Sequence, residues 1–132
     1  MKTFYTSYQI EAEVLNALAH PSRLQILDLL RDGEACVCHI QAMLGQRQAY
    51  ISQQLNVLRH AGVVASRKDG LRAYYQVSDP KIFEVVDSLK AFLRETGTWQ
   101  ANPAGEDLRQ QPCNCPQCSE KHAQTELEAH HA

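Results

Sequence analysis

The five cysteines of this chain stand in two groups: Cys36-Val37-Cys38, followed at once by His39, and Cys113-Asn114-Cys115-Pro116-Gln117-Cys118 towards the other end. Two thiolates one residue apart can chelate a single soft ion, arsenite, cadmium, lead or zinc, and further sulfurs complete its shell. Arsenite takes three ligands, and cadmium or zinc commonly takes four. All five cysteines are therefore candidate ligands. The same thiols can instead form disulfides with oxidants or reactive sulfur. An odd count fits a structural disulfide framework poorly, and in a reducing compartment cysteines serve more often as ligands or redox groups.

Geometry limits how the first pair can act. Residues i and i+2 of a regular helix point about 200° apart, so Cys36 and Cys38 converge only where the first turn is irregular or becomes so on binding. A helix start, with its unpaired amides and dipole, favours thiolate over thiol. Drawing the sulfurs together would then distort the helix that braces its successor. His39 is open to three roles: nitrogen ligand, helper in deprotonating Cys38, or plain surface residue. His20 beside Pro21 reads as structural, while His122, His130 and His131 carry no signal.

The elements that must position these groups follow from period and punctuation. Thr6-Ser7-Tyr8-Gln9 has the form of a capping box, and Ile10, Val14 and Leu18 then share one helix face. Pro21 opens a second helix, with Leu24, Ile26, Leu27 and Leu30 inward and Gly33 as its stop. Val37, Ile40 and Leu44 mark a short third helix, and Gly45-Gln46-Arg47 separates it from a fourth carrying Ile51, Leu55 and Leu58. Two short helices across a tight glycine turn form a helix-turn-helix. The period next changes to two: a strand from Val63 runs into Asp69-Gly70, and Leu71, Ala73, Tyr75 and Val77 alternate with Arg72, Tyr74 and Gln76 on the return strand. Ser78-Asp79-Pro80 opens a last helix with the stripe Ile82, Val85, Val86, Leu89 and Leu93, ending at Gly97.

The fold class is thus mainly α with a β-hairpin wing, a winged helix-turn-helix, expected to be dimeric because the stripe on its last helix leaves an apolar face to cover. Residues 1–97 are expected to form this domain, and 98–132 a flexible polar tail with the second thiol group. A length of 132 residues allows one modest core. No apolar run nears the roughly 20 residues of a membrane span and no signal peptide precedes the first helix, so the expected location is cytoplasmic. A net charge of −2 does not announce nucleic-acid binding; any DNA contact must come from locally gathered cations. No phosphate-binding glycine loop, H-E-x-x-H or nucleophile triad is present, which argues against an enzyme.

Ala17-Leu18-Ala19-His20-Pro21-Ser22-Arg23-Leu24-Gln25-Ile26-Leu27, then EACVCHI, SQQLNVLRHAGVV and RKDGLRAYYQV, resemble in order the ArsR/SmtB family of metal-responsive repressors across roughly residues 10–95. The resemblance implies a homodimer that binds double-stranded operator DNA and releases it when metal binds. Bases would be read by the start of the fourth helix, Gln48, Ala49, Tyr50, Ser52 and Gln53, with Arg47 at its entrance. Arg67, Lys68 and Arg72 on the wing would contact phosphates. Ile10, Val14, Ile82, Val86, Leu89 and Leu93 would form the dimer seam. Two features depart from the family pattern. His39 replaces an acidic residue, and the family's zinc site on the last helix lacks its ligands, with Pro80-Lys81 after Asp79 and Phe92 at a ligand position. Alongside the metal-released repressor stand a repressor of the same fold that senses oxidants or reactive sulfur, and a metal-buffering protein whose tail does the work.

Overall fold

The computed structural model describes residues 6–98 and Cys115. Helix α1 spans Ser7–Leu18 and begins at the expected capping box. The Gln9 amide donates to Thr6 Oγ1 (3.3 Å), and the Thr6 amide donates to Gln9 Oε1 (2.7 Å). Helix α2, Pro21–Leu29, is capped by His20, whose Nδ1 accepts from the Ser22 amide at 3.2 Å; the imidazole is structural. A 3-10 turn, Leu30–Asp32, ends at Gly33.

Next come strand β1 (Ala35–Cys36), helix α3 (Val37–Leu44), helix α4 (Gln48–His60), strands β2 (Val64–Asp69) and β3 (Arg72–Val77), and helix α5 (Lys81–Glu95). Gly45, at φ 64°, takes the left-handed conformation that lets α3 stop and α4 start three residues later. Asp79 Oδ1 accepts from the Lys81 amide at 2.9 Å and so caps the start of α5.

The sheet differs from expectation in two places. It has three antiparallel strands in the order β1-β3-β2, not a lone hairpin. The first strand is two residues long and pairs with a partner about forty positions away, Ala35 with Tyr75 and Cys36 with Tyr74. So short a strand leaves no period-two trace. Leu71, expected to begin the return strand, lies instead in the turn and is fully exposed, because Asp69 pairs with Arg72 and the turn consists of Gly70 and Leu71. Gly70 has φ 61° and, among the described residues, no residue other than glycine has a positive φ, which matches a hairpin turn with glycine at its first central position.

Ile26, Leu27, Leu30, Ile40, Ile51, Leu55 and Leu58 form the centre of the core, so α2, α3 and α4 pack as one unit. Tyr75 and Val77 of the wing, and Ile82 and Phe83 of α5, lean against it half-buried. Arg31 fastens α5 from outside the core. It pairs with Asp28 (2.9 Å) and Asp87 (2.6 Å), and its guanidinium lies 4.7 Å from the Phe83 ring centroid. The Arg31 hydrogen bond holds the Asp87 carboxyl below the usual carboxylate range.

Arg23 is a second fastener, at the junction of three helices. Its Nε donates to Oε1 of buried Gln54 (2.9 Å), and its Nη1 to the carbonyls of Asn16 (3.1 Å) and Ala17 (3.2 Å). Replacing it strands a buried amide acceptor and two helix-end carbonyls. Arg23→Ala is expected to cost about 1–3 kcal/mol. Thermal unfolding followed by circular dichroism should show this as a fall of roughly 4–8 °C per kcal/mol.

Candidate nucleic-acid interface and thiol site

The core-facing stripe of α4, Ile51, Gln54, Leu55 and Leu58, is buried, which turns the opposite side of its first turns outward. Arg47, Gln48, Ala49 and Gln53 are exposed and Ser52 is half-exposed, as reading base edges requires. Tyr50 does not belong with them. Its hydroxyl lies 2.8 Å from Ser22 Oγ and its ring packs against the core, so helical spacing turns it towards α2. On the wing, Lys68 is exposed and Arg72 half-exposed.

Arg67 is exposed but already engaged. Its Nε donates to Glu34 Oε2 at 2.8 Å, its Nη2 to Glu34 Oε1, and its guanidinium carbon sits 4.5 Å from the Tyr74 ring centroid. Asp69 Oδ2 lies 3.8 Å from its Nη1. The Glu34 hydrogen bonds raise the guanidinium's pKa. Sequence reasoning missed Glu34 entirely, because the pair spans 33 positions and has no local signature.

The thiols lie beside this surface. Cys36 is the N-cap of α3, with extended backbone (φ −76°, ψ 157°), and its Sγ accepts from the His39 amide at 3.3 Å. Since Cys36 stands outside the helical turn, the divergence of helical neighbours does not apply to it. Cys36 and Cys38 are joined as a disulfide, their Cα atoms 5.3 Å apart, while α3 runs regularly from Val37. The expectation that convergence must distort α3 is therefore corrected: the strand-to-helix junction brings the sulfurs together by itself.

Cys36 is 1% exposed yet is not part of the core cluster. Cys115, the one residue described beyond Thr98, is 5% exposed, with Sγ 3.5 Å from His39 Nδ1. Cys113 and Cys118 lie outside the described residues. Among the described residues no three His, Cys, Asp or Glu side chains are arranged to hold an ion. While Cys36 and Cys38 are bridged, neither offers a thiolate. A cavity of about 260 Å³ joins the two features, lined by Cys36, Cys38, Gln48, Ser52 and Arg72 among others.

The seam expected for the dimer divides. Val86 is 5% exposed and belongs to the core, so it is removed from the proposed interface: on α5 it is the residue buried in the core cluster, with Ile82 and Phe83 packed against that cluster. Val14 and Ile82 are half-buried against the same core, and Leu93 is half-exposed. Ile10 on α1 and Val85 and Leu89 of the α5 stripe are exposed, together with Leu15 and Phe92, which the sequence did not mark as interface. Leu15, Leu18, Leu24, Val85 and Leu89 border an apolar hollow of about 220 Å³ between the two helices.

The family model for bacterial regulatory proteins of the arsR family matches residues 20–66. Rv0081, an uncharacterised HTH-type transcriptional regulator of Mycobacterium tuberculosis, is 41% identical over 80 residues, covering 60% of this chain and 70% of that protein. The chain belongs to the ArsR family. The crystal structure of Rv0081 matches this ArsR-family fold with a TM-score of 0.64 at 35% identity, covering 72% of this chain and 96% of that one. The biofilm growth-associated repressor of Agrobacterium fabrum is 39% identical over 82 residues, 62% of this chain and 70% of the repressor. The homodimeric winged helix-turn-helix DNA-binding domain Mb0332 of Mycobacterium bovis matches with a TM-score of 0.62 at 30% identity, covering 72% and 92%. As an ArsR-family member the chain is a regulatory protein, not an enzyme. No helix among its described residues is long and apolar enough to cross a membrane.

Proposed function

We propose that this chain is a homodimeric transcriptional repressor that binds operator DNA through α4 and the wing. It lets go when a thiophilic metal or metalloid ion binds the reduced thiols of Cys36 and Cys38 together with a tail sulfur, Cys115 foremost. The carrying observation is the shared cavity: Cys36 and Cys38 line the same hollow as Gln48, Ser52 and Arg72. An ion gathered there changes shape and charge where bases and phosphates must approach. Three sulfurs suit arsenite, and the His39 imidazole beside Cys115 offers a fourth donor for cadmium, zinc or lead. Cys113 and Cys118 remain candidate donors from the same tail.

Mutation separates reading from anchoring. With a duplex selected by the full chain from a random pool, Gln48→Ala or Gln53→Ala is expected to lose about 1–3 kcal/mol for that duplex alone. Arg72→Ala should weaken selected and mixed-sequence duplexes alike and lower the salt slope by about one. Fluorescence anisotropy against salt measures both. Full affinity in all three variants would remove these residues from the interface, and a wild-type chain without salt-dependent binding would favour a metal buffer.

The bridge between Cys36 and Cys38 favours a second reading, in which oxidation of the pair is itself the signal. The two readings part in anaerobic reductant. Release by cadmium or arsenite there supports the ion, whereas release only by peroxide or polysulfide supports the disulfide.

A further inference from the structure

The contact between Arg67 and Glu34 bears on DNA affinity in a direction that wing charge alone does not give. The cation that should meet a phosphate is held at two points by a carboxylate. Glu34 stands immediately before β1, and β3 lies between β1 and β2. Cys36, Tyr74 and Arg67 therefore occupy one row across the sheet, Cys36 opposite Tyr74 and Tyr74 opposite Arg67. Arg67 packs over the Tyr74 ring, so the guanidinium is fixed from below by the ring and from the side by Glu34.

We infer that Glu34 is a positioning residue for DNA binding: it withholds the Arg67 guanidinium from phosphate in the free protein, and duplex binding must exchange the carboxylate for a phosphate oxygen. This rests on the DNA-binding reading given above. The exchange is feasible because both partners are partly exposed, with side-chain accessibilities of 50% and 33%, and exposed ion pairs are weak. The two non-bridging oxygens of a phosphate can accept from a guanidinium at two points, as the carboxylate oxygens now do.

The test uses the full chain, the selected duplex and a mixed-sequence duplex of equal length. Glu34→Gln keeps the side-chain shape but not the charge. It should tighten both duplexes about two- to five-fold, the range that an exposed pair can supply. It should also steepen the dependence of log K on log salt by about one, as one more cation becomes committed to phosphate. Arg67→Ala should abolish this gain: in that background Glu34→Gln should leave both affinity and slope unchanged. A purely structural role for Glu34 would move the melting temperature without moving the salt slope. Unchanged or weakened binding in Glu34→Gln would overturn the inference, as would a gain that persists in the Arg67→Ala background. Failure of the underlying reading looks different, since wild type itself would then show no salt-dependent binding.

Discussion

Leu89→Asp is expected to convert the dimer to monomer and to weaken operator binding by about 10²–10⁴-fold, the loss that follows when two linked half-sites become one. Leu89 is 49% exposed in the single chain, so an aspartate there meets water in the monomer and the fold should survive. In a dimer closed over the α1–α5 hollow the same carboxylate would be buried without a cation, which is strongly unfavourable. Val86→Asp is the matched control. It is 5% exposed within one subunit, and its substitution should unfold the chain rather than split the dimer. Sedimentation and circular dichroism together read the difference: Leu89→Asp should sediment as a folded monomer. A folded dimer for that variant would place the subunit contact elsewhere.

Cys36→Ser and Cys38→Ser should leave duplex affinity within about two-fold of wild type while abolishing release by cadmium or arsenite. The fold should tolerate the first change well. Cys36 caps α3 through its Sγ, and serine is among the best capping residues, so a hydroxyl can take the His39 amide in place of sulfur. Cys36→Ala lacks that acceptor and should cost about 1 kcal/mol of stability besides. Cys115→Ser, or removal of the chain beyond Gln111, should weaken ion affinity and blunt release without changing duplex binding. By linkage, operator DNA must weaken ion binding by the same factor as the ion weakens DNA binding. Anaerobic titration followed by ligand-to-metal charge-transfer absorption, with and without duplex, checks both statements. If the truncated chain responded to the ion as the full one does, the remaining donors would lie within the folded domain, His39 first among them.

Much of this protein is written locally. The capping box at Thr6, the stop at Gly45, the α4 stripe of Ile51, Leu55 and Leu58, and the hairpin around Gly70 are each fixed by residues a few positions apart. Periodicity and turn chemistry therefore place them, and their order is enough to give the winged helix-turn-helix. The exposed start of α4 is legible for the same reason: once the buried stripe is known, the reading face is its complement.

What the sequence left undecided depends on which surfaces meet. Tyr50 sits at a reading position by spacing, yet its hydroxyl finds Ser22, and only the packing of α4 on α2 decides that. Val86 and Leu89 share one apolar stripe by period. The angle at which α5 crosses the core sends the first inward and leaves the second for a partner. Helical geometry alone sets the two thiols apart. Their convergence depends on a two-residue strand that exists because Tyr74 and Tyr75, far along the chain, supply its hydrogen bonds. Glu34 and Arg67 are likewise joined only by that sheet. The sequence by itself determined the elements, their order and the chemistry available to the cysteines. The tertiary structure decided which of those groups face one another, because side-chain partners separated by tens of residues are chosen by packing and not by local periodicity.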